Sequence, residues 1–158
     1  MAIEIERKFR VINEDWRIGA TGTRFRQGYL VASPERSVRV RVAGTEATLT
    51  IKGRAQGAVR AEFEYAIPLA DAETMLATLC EPPMIEKTRW LCEWQGYVWE
   101  VDEFAGDNAG LVIAEVELTH ALEQPPLPPW VGVEVTHDPR YLNASLIRQP
   151  WCDWGHGA

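Results

Sequence analysis

Cysteine is scarce in this chain, and long apolar runs are missing. Three cysteines, Cys80, Cys92 and Cys152, are scattered over 158 residues. They form neither a metal-ligand pair nor an even disulfide set, so we expect reduced thiols and a cytoplasmic location. The longest aliphatic run, residues 111–114, is far shorter than the roughly 18 apolar residues that a membrane span needs. The chain is charged from Glu4 onward, so we expect neither a membrane span nor a secretory signal.

Positive charge is also in deficit. Sixteen Lys and Arg residues stand against 23 Asp and Glu residues, which gives a net charge of −7. Domains that bind nucleic acid usually carry an excess of basic residues, so we expect no nucleic-acid partner. The length is typical of one domain that can bury a core without disulfide or metal support. We therefore expect a single domain over residues 1–150, followed by a loosely ordered tail at 151–158.

Apolar residues alternate with polar ones along most of the chain, which is typical of β-strands. Short turn signals separate the alternating segments, and such short connections favour antiparallel pairing. Two helices are predicted, at 72–79 behind the cap Asp71 and at 139–148 behind the cap Asp138. Eight strands are predicted, at residues 3–11, 25–31, 37–42, 47–52, 60–67, 85–94, 97–104 and 111–118.

Charged side chains share one face on nearly every predicted strand. On the first strand, Glu4, Glu6 and Lys8 point one way while Ile5 and Phe9 point the other. In an open sheet this charged face would simply lie in water. If the sheet closes into a barrel of about eight strands, the charged face lines the interior. That interior must then hold water, metal ions or a charged ligand, because each unpaired buried ion costs several kcal/mol.

The two signs of charge suit different parts of one ligand. Arginine and lysine side chains on neighbouring strands match the oxygens of phosphate groups. Grouped carboxylates without histidine or cysteine favour a hard cation such as Mg²⁺ or Mn²⁺. Phosphoryl transfer needs this combination, because its catalysis consists mainly of positioning and charge neutralisation. A closed sheet would therefore suit a phosphate chain held between cationic side chains and metal ions.

The segment Glu4-Ile-Glu6-Arg-Lys8 resembles the Glu-x-Glu-x-Lys signature of the CYTH, or triphosphate tunnel metalloenzyme, superfamily. The residues around Asp138, Tyr141 and Asn143 are similar to its C-terminal helix region, and the resemblance spans about residues 2–148. It implies a mostly β member of the α+β class, a closed eight-stranded antiparallel β-barrel forming a tunnel with a few flanking helices. Further segments follow in the family's order: Arg26-Gln-Gly-Tyr29, Arg39-x-Arg41, Leu49-Thr-Ile-Lys52, Arg60-x-Glu62-x-Glu64, Glu86-Lys87-Thr-Arg89, Glu100-x-Asp102 and Glu115-Val-Glu117.

The same resemblance implies roles for individual residues. Lys52 paired with Tyr29 would help to activate water, and nearby cations would favour the uncharged form that a lysine base needs. A metal-bound hydroxide assisted by Glu or Asp is the alternative. The implied metal ligands are Glu4, Glu6, Glu64, Asp102, Glu115 and Glu117. The implied triphosphate ligands are Lys8, Arg39, Arg41, Lys52, Lys87 and Arg89.

The short bacterial members of this superfamily are the ones that the chain resembles most. They imply metal-dependent hydrolysis of inorganic tripolyphosphate to diphosphate and phosphate, with one or two Mg²⁺ or Mn²⁺ ions. The sequence leaves open a class IV adenylate cyclase, a thiamine triphosphatase and a non-catalytic polyphosphate- or nucleotide-binding module. The expected partner is a small-molecule triphosphate, without nucleic acid or membrane, and a homodimer stays open.

Overall fold

The alternating segments form nine strands in the computed structural model, which describes residues 2–155. All eight predicted strands are present. The ninth was not predicted, because it has four residues and follows a proline-rich loop that shows no alternation. The strands are β1 (Ile3–Val11), β2 (Thr21–Ala32), β3 (Arg36–Ala43), β4 (Glu46–Gly53), β5 (Val59–Ala66), β6 (Glu81–Trp94), β7 (Tyr97–Phe104), β8 (Val112–Glu117) and β9 (Val131–Glu134).

The strands close into a ring. Their order is β5-β4-β3-β2-β6-β7-β8-β1, and β1 pairs antiparallel with β5 through Ile3↔Ala61 and Glu4↔Arg60. The other end of β1 carries β9 as an extra strand, beginning at Phe9↔Glu134. The predicted closed eight-stranded antiparallel barrel is therefore confirmed, and the open half-exposed sheet is wrong. The charged face of the strands consequently points into a bore.

Both predicted helices are present with different bounds, and the second one is much shorter than predicted. The first helix, α1 (Leu69–Thr78), begins after Pro68, so Asp71 lies in its first turn instead of capping it. The second predicted helix is a 3-10 turn at Pro139–Tyr141 followed by one short α-helix, α2 (Asn143–Leu146). Asp138 does cap this region, accepting from the backbone N–H of Arg140. No helix in the described residues is long and apolar enough to cross a membrane.

The expected loose tail is folded over the part that the structure describes. Residues Trp151–Asp153 form a 3-10 turn. Trp154 packs edge-on against Tyr141, with the ring centroids 5.0 Å apart, and Trp151 joins the same contact. Residues 156–158 lie outside the described residues. The aromatic side chains account for this order, because they cover an apolar cluster at the end of the barrel.

That apolar cluster closes one end of the bore. Four of its strand members, Tyr29, Ile85, Phe104 and Ile113, occupy inward positions on four different strands. The segment after β9 covers them with buried side chains that include Leu146. Along β8 the inward positions then change from buried Ile113 through Glu115 to exposed Glu117. The barrel is thus dry at one end and ionic beyond it.

Candidate active site

Charge is segregated by sign around the bore, which encloses a cavity of about 340 Å³. The adjacent strands β3, β2 and β6 form one arc of the ring, and β3 and β6 carry cations. The opposite arc, β7-β8-β1-β5, carries the carboxylates. The lining cations of the first arc are Arg39, Arg41, Lys87 and Arg89, and the lining carboxylates of the second are Glu4, Glu6, Glu62, Glu64, Glu100, Glu115 and Glu117. The segregation is incomplete, because Lys8 on β1 and Arg60 on β5 line the cavity within the second arc, and Lys52 lines it from β4 between the arcs.

Asp102 does not join these carboxylates. It is fully buried and accepts from Lys87 Nζ at 2.6 Å and from Arg89 Nε and Nη2 at 2.8 and 2.9 Å. Burial alone would raise the pKa of Asp102, but Arg89 and Lys87 hold it well below its usual range. The register explains this, because Arg89 lies directly opposite Asp102 between β6 and β7. The oxygens predicted to bind metal are already occupied by two cations.

An aromatic ring lies at the centre of the cationic arc. Phe25, from β2, has the Arg41 guanidinium carbon at 4.6 Å and that of Arg89 at 5.1 Å from its ring centroid, with Lys87 Nζ at 6.0 Å. Burial, together with repulsion by Arg39 and Arg89, lowers the pKa of Arg41 to about 9. Arg41 stays charged at neutral pH, so this arc concentrates positive charge that a phosphate chain would neutralise.

The acidic arc gathers negative charge in the same way. Glu6 lies opposite Glu117 in the β1–β8 register, and Lys8 lies opposite Glu115 with Nζ and Oε1 3.8 Å apart. Burial, then repulsion by Glu115 and Glu4, raises the pKa of Glu6 well above its usual range. Carboxylates in this state gain stability when a cation approaches. Glu64 is exposed at the rim, as is Glu117, but it is placed differently because its Oε2 accepts from Thr50 Oγ1 at 2.9 Å and lies 3.5 Å from Arg39 Nη2.

The donor chemistry of the acidic arc fits a hard divalent cation. All of its candidate ligands are carboxylate oxygens, and no histidine or cysteine lines the cavity in the described residues. Within residues 2–155, no three acidic, histidine or cysteine side chains already form a compact metal cluster. Glu4 and Glu115 are instead salt-bridged to Lys52 and Lys8. A metal ion would therefore compete with these lysines for the same oxygens.

Lys52 and Tyr29 both line the cavity but do not contact each other by a hydrogen bond in the described part of the chain. Lys52 Nζ donates to both Glu4 oxygens at 3.0 and 3.1 Å and lies 3.3 Å from Glu62 Oε2. The Tyr29 hydroxyl accepts from Gln27 Nε2 at 3.4 Å, and its ring belongs to the apolar cluster. Two carboxylates therefore lie within ion-pair distance of Lys52 Nζ.

Several residues of the site have no role assigned from the sequence, among them the lining carboxylates Glu62 and Glu100. Arg60 lines the cavity, and its buried Nε has no hydrogen-bond partner among the described residues. Phe25 and Gln27 share the inward face of β2, and strand alternation from Tyr29 would have placed them there. Asn143 lines the cavity from α2, and no local pattern in the sequence reports that placement.

Comparison with known proteins gives matches over nearly the whole chain. A family model for the CYTH domain matches residues 2–149. An inorganic triphosphatase of Acetivibrio thermocellus is 47% identical over 151 residues, covering 96% of this chain and 97% of the relative. An inorganic triphosphatase of Nitrosomonas europaea is 39% identical over 148 residues, covering 90% and 95%. The crystal structure of the inorganic triphosphatase NE1496 aligns with a TM-score of 0.64 at 37% identity, covering 93% of this chain and 95% of that one.

Proposed function

This chain belongs to the CYTH domain family, and from that premise we propose that it hydrolyses inorganic triphosphate to diphosphate and phosphate inside the bore. The observation that carries the proposal is the separation of charge within one cavity, with cations on β3 and β6 facing carboxylates on β1 and β8. A linear triphosphate has the size and charge to lie between the two arcs. The two relatives that bear the name inorganic triphosphatase match along 90% or more of this chain.

The cationic arc is proposed to bind the phosphate chain. Burial is the main cause that lowers the pKa of Lys87 to about 7. Asp102 raises this pKa, and repulsion by Arg89 and Arg41 lowers it further. A bound phosphate would stabilise the charged forms of these side chains, because it reduces the repulsion between them. This reduction adds to the favourable free energy of phosphate binding. The proposed ligands are Arg39, Arg41, Lys87 and Arg89 of the cationic arc, together with Lys8 from β1, Lys52 from β4 and, as an addition, Arg60 from β5.

The family implies a divalent metal cofactor, and we propose one or two Mg²⁺ or Mn²⁺ ions. Glu4, Glu6, Glu115 and Glu117 would hold them, because these carboxylates lie together on β1 and β8. When bound, such an ion supplies charge neutralisation and Lewis acidity to the phosphate chain. Glu64 is a weaker candidate at the rim. Asp102 is proposed instead to anchor Lys87 and Arg89.

The remaining chemistry belongs to side chains of this protein. Water forms a new bond to the terminal phosphorus, and the bond from that phosphorus to the oxygen of the leaving diphosphate breaks. The cations of the first arc stabilise the negative charge that develops on the diphosphate. The proton from water goes to a group at the acidic side, where Lys52 and Glu4 are the candidates. Lys52 can accept it only as the uncharged amine, after its ammonium has passed a proton to Glu4 or to solvent water.

A substrate panel tests the proposal. Inorganic tripolyphosphate, ATP and thiamine triphosphate are each incubated with Mg²⁺ or Mn²⁺, and again with EDTA. We expect rapid phosphate release from tripolyphosphate that EDTA abolishes and excess metal restores. Cyclic AMP from ATP would instead identify a cyclase, preferred cleavage of thiamine triphosphate would identify that activity, and tight binding without turnover would identify a binding module.

A cytoplasmic location is proposed as well. It is supported by Cys80, Cys92 and Cys152, all of which carry free thiols. Alkylation of the protein purified under native and denaturing conditions, without reductant, would count them. A disulfide formed in the cell would contradict this location.

A further inference from the structure

We infer that Asn143 is a positioning residue for the cationic arc, which would make the C-terminal segment a working part of the site. This inference rests on the proposed function, because it assigns a role in binding the phosphate chain. Residues 142–144 line the cavity, and every other lining residue in the described part of the chain comes from a barrel strand. Asn143 therefore reaches the bore from outside the barrel wall.

The side-chain amide of Asn143 contacts two residues of the barrel. Its Oδ1 accepts from Lys87 Nζ at 2.8 Å and from Gln27 Nε2 at 2.9 Å. An ammonium group can only donate, so the atom that faces Lys87 must be the amide oxygen. Asn143 thus fixes Lys87 by a direct hydrogen bond.

Gln27 extends this contact to a second cation. Gln27 is fully buried, and while its Nε2 donates to Asn143 its Oε1 accepts from Arg41 Nε at 3.0 Å. One amide from the C-terminal segment therefore holds Lys87 directly and Arg41 through Gln27. These two cations belong to different strands, β6 and β3, on either side of β2.

One N–H donor of the Lys87 ammonium is available to bind a phosphate oxygen. The Lys87 ammonium has three N–H donors, of which Asp102 and Asn143 take one each. The third has no hydrogen-bond acceptor among the described residues, and the ammonium otherwise faces the Phe104 and Phe25 rings, 5.4 and 6.0 Å from their centroids. Because the Asn143 oxygen is uncharged, it orients Lys87 without cancelling the positive charge that a phosphate would bind. A carboxylate at the same position would cancel it.

Packing of the C-terminal segment does not need the Asn143 amide. Tyr141, Leu146 and Ile147 anchor the segment in the apolar cluster. Asn108 anchors it further along, where its Oδ1 accepts from the backbone N–H of Trp151 at 2.8 Å, and Asn108 does not line the cavity. Asn108 is therefore a matched control. It is a buried asparagine that contacts the same segment, and this contact lies outside the bore.

The test compares N143A, N143D and N108A with the wild type. Steady-state KM and kcat for tripolyphosphate are measured at a fixed metal concentration, together with the melting temperature. For N143A we expect KM to rise about tenfold, as loss of one buried hydrogen bond to a charged group implies, with kcat changed less than KM. N143D should raise KM further, because its carboxylate neutralises Lys87 and repels phosphate. N108A should lower the melting temperature and leave KM within about twofold of the wild type.

Two results would overturn the inference. One is a wild-type KM in both Asn143 variants. The other is a rise in KM for N108A that matches N143A at equal loss of melting temperature, since that would assign the effect to packing alone. N143D is nearly isosteric, so it decides the question if N143A does not fold.

A binding experiment separates this inference from the proposed function. The Kd of inorganic tripolyphosphate is measured by calorimetry in EDTA for the wild type and N143A. If the wild type binds tripolyphosphate but does not hydrolyse it with any added metal, the proposed hydrolysis is overturned. Weaker binding by N143A than by the wild type would still support the role of Asn143 in that case. An unchanged Kd would overturn that role, and absence of wild-type binding and turnover would overturn both proposals.

Discussion

Lys52 donates to both carboxylate oxygens of Glu4, at 3.0 and 3.1 Å, and thereby connects β4 to β1 across β5. The candidate base and a candidate metal ligand are each other's partner. A cation that binds Glu4 would weaken this contact and free the lysine ammonium to bind the phosphate chain, or to lose a proton and then act as a base. Metal binding and the availability of Lys52 are therefore coupled through one ion pair.

Lys52→Arg separates the two roles of this lysine. A guanidinium keeps the charge but does not lose a proton in proteins. If Lys52 accepts the proton from water, kcat should fall by about 10²-fold or more, while KM changes little. Steady-state phosphate release checks this, with Lys52→Ala as the variant that loses both roles. A kcat near the wild-type value in Lys52→Arg would show that Lys52 contributes its positive charge and does not accept the proton.

Glu6→Gln should abolish turnover by weakening metal binding, because it removes one charged oxygen ligand from the acidic arc. We expect a loss of about 100-fold or more at a Mn²⁺ concentration that saturates the wild type, with partial recovery at higher Mn²⁺. The control is Glu134→Gln, on the outer surface, where Glu134 pairs with Arg7 at 2.9 Å. Normal activity and normal metal dependence in Glu6→Gln would refute the metal assignment.

Phe25→Leu should weaken substrate binding although Phe25 carries no charge. The ring is shared by Arg41, Arg89 and Lys87, and each cation–π contact contributes about 0.5–2 kcal/mol. We expect KM for tripolyphosphate to rise about two- to tenfold, with a smaller change in kcat. Phe25→Tyr keeps the aromatic face and should stay closer to the wild type. Equal KM values in both variants would show that the aromatic face is not needed.

Trp99→Ala should destabilise the fold without acting through the bore. Trp99 is fully buried on the outer face of β7, with its ring centroid 5.6 Å from that of Phe9 and 5.9 Å from that of Trp130. Removing so large a buried side chain costs about 3–5 kcal/mol of unfolding free energy. Urea denaturation measures the unfolding free energy. The control is Val98→Ala, at an exposed neighbour, which should change the unfolding free energy by less than about 0.5 kcal/mol. Similar losses in the two variants would contradict the packing described for Trp99.

Glu123 should make stability depend on pH in the acidic range. Hydrogen bonds from the Tyr97 hydroxyl and from the backbone N–H and hydroxyl of Thr119 lower the pKa of Glu123 from an ordinary 4.5 to about 2. A carboxyl whose pKa is lower in the folded state stabilises the fold above the unfolded-state value, and this contribution is lost as the pH falls toward 2.

The measurement for Glu123 is the difference in unfolding free energy between the wild type and Glu123→Gln. We expect the wild type to be more stable at pH 6 and the difference to shrink between about pH 5 and pH 2. A difference that is constant over this range would contradict the assigned hydrogen bonds. The site lies outside the bore, so activity should not follow the same curve.

Strand alternation was sufficient to locate most of the barrel. β1 and β7 begin and end at the predicted residues, because a side-chain period of two is a strong and purely local signal. The same signal placed Glu4, Glu6 and Lys8 on one face. It failed for β9, which is too short to show a period, and for the region after Asp138, where an expected helix is broken into two short turns.

The sequence by itself therefore determined which side chains share a face of each strand and that one of the two faces is largely ionic, since alternation depends only on backbone geometry. Closure of the sheet, a tertiary property, decided that this face points inward. Tertiary structure decided which of these side chains meet. Asp102 was predicted as a metal ligand, and the β6–β7 register places it opposite Arg89, where it accepts from Arg89 and Lys87. Asn143 reaches the bore only because the C-terminal segment packs across the dry end of the barrel. Register and the packing of distant segments arise from contacts between residues far apart in the chain, and no local pattern encodes them.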